Sequence, residues 1–190
     1  MPGTDTPLSL LDRLLSHDDA EAWDQFSVLY EPLIRRWVGR LVAQADAVDD
    51  IVQEVLKALL EGLPKFQHNL RPGAFRSWLR SIAVHRVGRH WRAQHLTADQ
   101  ISEVKGLEDP HSGISRLWDQ EHDRHVLVVL LERIRPEFDA RTWEIFQRLV
   151  FEGDSPRDVA RDIGTSANVV YIAKARVLKR LRLEGRGLIE

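Results

Sequence analysis

Apolar positions recur with a helical period along almost the whole chain. Phe26, Leu29, Tyr30, Leu33, Ile34, Trp37, Val38 and Leu41 follow the i, i+3, i+4, i+7 spacing of one buried helix face. Val48, Ile51, Val52, Val55, Leu56, Leu59 and Leu63 make a second stripe. Phe75, Trp78, Leu79 and Ile82 open a third, which Val87 and Trp91 continue less regularly. Pro64 and the Pro72-Gly73 pair separate the second helix from the third. Near the start, Leu8, Leu10, Leu11, Leu14 and Leu15 can form a short extra helix packing on this N-terminal unit. From Leu96 to Trp118 the pattern fades into Asp99, Glu103, Glu108 and Asp109 with the breakers Gly106, Pro110 and Gly113. It returns from Val126 to Ile134, at Trp143, Phe146 and Val150, and from Ser155 to Arg182. No alternating strand pattern bounded by turn residues stands out. The expectation is an all-α fold of two small helical domains, residues 1–95 and 116–190, joined by a flexible acidic linker over 96–115.

The C-terminal domain carries sharper local signals. Ser155-Pro156-Arg157-Asp158 combines a capping serine, a proline suited to the first helical position and a carboxylate near the positive helix end. Val159, Ala160 and Ile163 are expected to face inward, and Gly164 to end that helix. A second helix from Thr165 or Ser166 buries Val170, Ala173, Val177 and Leu181. Small Ala160 and Gly164 suit two helices crossing through a tight turn, so the pair reads as a helix-turn-helix. Its outward face carries Ser166, Asn168, Tyr171, Lys174, Arg176 and Lys179, with Arg180 and Arg182 beyond, and residues 163–183 contain no acid. Short polar groups near the helix start and cations further on are what a helix in a DNA major groove needs; an ordinary hairpin with a solvated basic face has the same pattern.

Charge in the N-terminal domain is segregated. Asp46, Asp49, Asp50, Gln53 and Glu54 lie opposite Val48, Ile51, Val52 and Val55, whereas residues 71–95 hold Arg71, Arg76, Arg80, Arg86, Arg89 and Arg92 among Phe75, Trp78 and Trp91 with no acid. Guanidinium groups hold phosphates and aromatic faces hold unstacked bases, the combination that grips single-stranded nucleic acid. Trp78, at core spacing, reads as a core residue, and Trp91 beside His90 and Arg92 as the stacking candidate. His85, His90 and His95 are five apart, so successive rings diverge by about 140° around a helix and cannot share a metal ion. His85 reads instead as a polar contact.

The totals narrow the class. The 190 residues carry a formal net charge of −2, are 43% hydrophobic and contain no cysteine. Disulfides, thiolate metal sites and cysteine nucleophiles are thereby excluded, and a reducing cytoplasm is the expected setting. The N-terminal stretch lacks the basic and apolar regions of a signal peptide, and no window reaches the roughly 18 apolar residues of a membrane span. An exposed acidic helix offers no pocket that would tune a carboxylate for catalysis. With no phosphate loop, metal spacing or nucleophile constellation, the chain reads as a non-enzyme without cofactor, small-molecule substrate or membrane partner.

The motifs resemble those of bacterial RNA polymerase sigma subunits, specifically the small two-domain extracytoplasmic-function type of the sigma-70 family. Asp46-Ala-Val-Asp-Asp-Ile-Val-Gln-Glu-Val55 looks like the family's polymerase-binding helix, usually close to D-A-E-D-L-V-Q-E-V/T-F. Phe75-Arg-Ser-Trp-Leu-Arg-Ser-Ile-Ala83 looks like its next helix, usually F-R-x-W-L-x-x-I-A, and the helix-turn-helix follows in the right order. The resemblance implies that Asp46, Asp49, Asp50, Gln53 and Glu54 contact core polymerase, and that Arg76, Arg80, His85, Arg86, Arg89, Trp91 and Arg92 face the −10 promoter element. It further implies that Ser166, Asn168, Tyr171, Lys174, Arg176 and Lys179 read the −35 element, and it allows an anti-sigma partner. The chain departs from the usual pattern at His85, where asparagine is common, and at Arg89, where an acid is frequent. In the recognition helix Val169-Val170 replaces a threonine-valine pair and Ala173 stands where arginine is often found. The competing expectation is a self-sufficient helix-turn-helix regulator that needs no polymerase.

Overall fold

A computed structural model describes residues 9–15, 19–66, 73–94, 102, 106, 109 and 111–189, helical for the most part and without a strand among them. Most of the expected linker, together with Arg71, Pro72 and His95, lies outside the described residues. Two compact units form, one from Leu8–Leu127 with the segment after Arg186, the other from Val128–Gly185. The division falls at 127/128, beyond the residue 116 expected from the sequence, because the helix that starts at Gly113 gives its first turns to the first unit.

The first unit is built on amphipathic helices whose apolar stripes meet. Helix α1 (Leu10–Leu15) is closed by a reciprocal cap: Ser9 Oγ accepts from the Asp12 amide at 3.2 Å, and Asp12 Oδ2 accepts from the Ser9 amide at 3.3 Å. It buries Leu10, Leu11 and Leu14, the extra helix anticipated from its leucine spacing. Helix α2 (Ala20–Leu41) starts at Asp19, which accepts from the Ala22 amide at 2.9 Å. Arg13, and then that amide, hold the Asp19 carboxyl below its usual range. Helix α3 (Ala45–Gly62) buries Val48, Ile51, Val52, Val55 and Leu59. Gly73, at φ 72°, opens α4 (Ala74–Ala93).

The stripes converge on an aromatic centre. Phe26 and Tyr30 lie 4.6 Å apart between ring centroids, and Phe75 sits 6.0 and 5.5 Å from them. Each is fully buried, and burial of one such side chain stabilises by roughly 1.5–3 kcal/mol. The first half of α5 (Gly113–Ile134) completes the unit through Trp118, His122 and Val126, all buried. Trp118 packs edge-on against Trp37 at 4.7 Å.

In the second unit α6 (Ala140–Gln147) starts at Asp139, which accepts from the Thr142 amide at 2.8 Å. A π-helical turn follows over Arg148–Glu152. Then come α7 (Pro156–Ile163), capped by Ser155, and α8 (Ala167–Glu184), capped by Ser166. Their core joins Ile145, Val159, Ala160, Val170 and Ala173, with Leu149, Ile163 and Ala167 beside it. Gly164 adopts φ 68°, and the Thr165 amide reaches back to the Ala160 carbonyl at 2.8 Å, which ends α7 and turns the chain into α8 within three residues.

Candidate functional site

Three exposed faces carry the charged residues singled out in the sequence. On α3, Asp46, Asp49, Asp50 and Gln53 are exposed and Glu54 is half-buried. Asp49 is ion-paired with Arg35 of α2, which also binds Glu31 at 3.1 Å, and Glu54 is ion-paired with Arg89 of α4. Such pairs are weak in water, so a cationic partner can displace either arginine at little cost.

On α4 the structure separates residues that the sequence reading had grouped. Ser77, Ser81, His85, Arg89 and Arg92 are exposed and follow each other at three- and four-residue steps, with Arg86 half-buried on the flank. Arg80 and Trp91 are buried, at 7% and 5% exposure, and Arg76 is turned into the unit. At about 100° per residue Arg76 lies some 180° from His85, and Arg80 and Trp91 point to that same inner side. Trp91 is therefore core and no free stacking platform in this conformation. Trp78, read as core, is half-buried: its ring stacks on Phe66 at 4.8 Å, and it lies so close to Gly62 that a Cβ there would meet it at 3.0 Å. The Phe66–Trp78 pair is the aromatic surface that the sequence reading missed.

The partners of the inner arginines come from α5. Arg80 donates to Asp119 at 3.0 Å and Arg76 Nε lies 3.3 Å from the same carboxylate. Arg76 also pairs with Asp123. His122, wholly buried, donates from Nδ1 to Asp123 at 3.0 Å and accepts at Nε2 from the Tyr30 hydroxyl at 3.3 Å. Burial, opposed by Asp123, pushes the imidazole below its ordinary value, and burial with the Asp123 charge pushes the Tyr30 phenol well up. Burial raises the Asp123 carboxyl, but hydrogen bonds from His122 and Arg76 outweigh it and leave the group below the usual range.

On α8, Ser166, Asn168, Tyr171, Arg176 and Lys179 are exposed and Lys174 is half-buried, while Val170, Ala173, Val177 and Leu181 point inward as the spacing predicts. Val169 and Ile172 also stand in solvent, at 44% and 50% exposure. Arg180 is not part of the free basic face: it forms a fork with Glu137 at 2.6 and 2.8 Å and reaches Glu184 at 2.7 Å. Below this face Arg148 ties the π-helical turn to α7, through Asp154 at 2.7 Å and Asp162 at 2.9 Å. These charge-assisted bonds hold Asp162 below its usual range.

Residues 28–97, covering most of α2, α3 and α4, match the sigma-70 region 2 family. Across a longer span the chain is similar to the ECF RNA polymerase sigma factor SigD of Mycobacterium bovis and of Mycobacterium tuberculosis. It is 27% identical to each over 157 residues, which cover 80% of this chain and 72% of those proteins. Both comparisons point the same way: the chain is similar to RNA polymerase sigma factors of the sigma-70 family. Sigma factors are non-enzymatic proteins that act with RNA polymerase in transcription initiation. No helix among the described residues is long and apolar enough to cross a membrane.

Proposed function

We propose that this chain is a sigma factor that docks on core RNA polymerase through the acidic face of α3 and directs it to promoters by bipartite recognition. The exposed α4 face formed by His85, Arg89 and Arg92, with Arg86 beside it, takes the −10 element. The α8 face, Ser166, Asn168, Tyr171, Lys174, Arg176 and Lys179, takes the −35 element. In this reading the N-terminal helices act as domain two and the C-terminal helices as domain four. The protein works in the cytoplasm, and each contact raises the effective concentration of the other.

The observation that carries the reading is the division of sign inside the region 2 match: α3 exposes Asp46, Asp49, Asp50 and Gln53, while the outer face of α4 exposes His85, Arg89 and Arg92 and no acid. Adjacent faces of opposite sign fit two different partners, one cationic and one anionic. The test is a pull-down of the purified chain with bacterial core polymerase, beside an Asp49→Lys, Asp50→Lys double variant. Wild type is expected to bind and the variant to lose binding. Absence of wild-type binding, with a polymerase competent for another sigma factor, would overturn the docking assignment and favour the self-sufficient regulator.

A further inference from the structure

Within the first unit, two arginines that the sequence places toward nucleic acid, and Arg40 of α2 as well, are already occupied by carboxylates of the same chain. Asp119 holds Arg80 at 3.0 Å and Arg76 at 3.3 Å, Asp123 holds Arg76, and Glu121 holds Arg40 at 2.6 Å. All three acids stand on the first half of α5, within five residues of one another. The Ser115 carbonyl adds an acceptor 3.4 Å from Arg80, whose side chain keeps only 9% exposure. The seating is specific as well as electrostatic. Trp118 packs on Trp37, His122 lies between Tyr30 and Asp123, and His125 donates to the Leu29 carbonyl at 2.7 Å.

A carboxylate and a phosphate oxygen offer an arginine the same kind of acceptor, and only one can hold a given guanidinium. We propose that the first half of α5 is an autoinhibitory strap whose Asp119 and Asp123 stand in for nucleic-acid phosphates, so that Arg76 and Arg80 become available to DNA only when the strap lifts. In the closed chain α4 then meets nucleic acid with its outer cations alone. The strap rests on the assignment of α4 to nucleic acid and extends it to the inner arginines.

The strap has a measurable signature. Each phosphate contact made on a single strand steepens the dependence of log K on log salt by about 0.7. Freeing two arginines therefore steepens the slope by about 1.4, with the larger gain in affinity at low salt. The comparison is wild type against Asp119→Asn, Asp123→Asn, which keeps side-chain shape, titrated with a short mixed-sequence single-stranded oligodeoxynucleotide over a range of salt. The double variant is expected to bind several-fold more tightly at low salt with the steeper slope. Adding Arg76→Gln and Arg80→Gln should cancel the gain. An unchanged slope in a folded double variant overturns the strap.

If the double variant is not folded, hydrogen exchange on the wild-type chain decides. Amides of residues 113–125 should exchange faster when oligonucleotide is bound, and unchanged or slower exchange overturns the proposal. Arg89→Glu, Arg92→Glu separates the two levels of the argument. If that variant weakens binding while the strap variant leaves the slope unchanged, only the strap falls. If it leaves binding intact, the nucleic-acid assignment of α4 falls first.

Discussion

Trp118 is the residue whose replacement asks most directly whether the first half of α5 belongs to the N-terminal core. Its side chain is 1% exposed and packs edge-on against Trp37, and its Nε1–H finds no hydrogen-bond partner among the described residues. Trp118→Ala removes the transfer and packing energy of a large aromatic and leaves a cavity, about 3–5 kcal/mol for such a site. It forfeits an aromatic pair worth about 0.5–1.5 kcal/mol and relieves an unsatisfied donor costing about 1–3 kcal/mol. The expected destabilisation is about 3–4 kcal/mol. Trp118→Phe keeps most of the apolar contact and drops only the orphaned donor, so it should cost under about 1.5 kcal/mol. Urea unfolding followed by far-UV circular dichroism, with hydrogen exchange assigning the loss to each unit, measures both. Protection should fall in α2, α4 and the first half of α5. A Trp118→Ala cost below about 1 kcal/mol would refute the packing, and a Phe variant as damaging as Ala would show that the indole donor is satisfied after all.

Two further outcomes follow from local geometry. Gly164→Ala places a Cβ on a residue at φ 68° where no neighbouring atom lies within 4 Å, so only backbone strain opposes it, and urea unfolding should show a loss of about 1–2 kcal/mol. His122 titrates below its ordinary value because it is buried, facing Tyr30 from α2, Arg76 from α4, and Asp119 and Asp123 from its own helix. With a depressed folded value, the unfolded chain binds the proton first, so stability is full above about pH 6.5 and declines as pH falls from there through the folded value. The melting temperature should drop between about pH 7 and 5.5 in wild type and respond less in His122→Gln; an equal response would remove His122 as the cause.

Much of this architecture could be read from residue spacing, because helices announce themselves by period. The stripes of α2 and α3, the Ser155-Pro156 start of α7, the stop at Gly164 and the inward set Val170, Ala173, Val177 and Leu181 all rest on contacts within a few residues. What escaped depended on distant partners. Arg76 and Arg80 share one basic segment with Arg89, although the helical angle places them on the opposite side. The first turns of α5 escaped for a different reason. Their buried face holds Ser115 and His122 beside Trp118, and polar residues interrupt an apolar stripe even when satisfied, His122 by Tyr30 and Asp123 and Ser115 by the Asp109 carbonyl. The half-buried Phe66–Trp78 pair depends on how α4 meets the turn after α3, which no local pattern encodes.

The Glu54–Arg89 ion pair has a consequence for how the acidic and basic faces respond to their surroundings. It joins α3 to α4, so each charge is the other's counterion while both faces are free. A cation that takes up Glu54 leaves Arg89 uncompensated and readier for an anion, and an anion on Arg89 leaves Glu54 readier for a cation. Such coupling is reciprocal by thermodynamic necessity, and one exposed pair limits it to a few-fold change in affinity in each direction. Two surfaces that share no ligand are in this way made to keep count of each other.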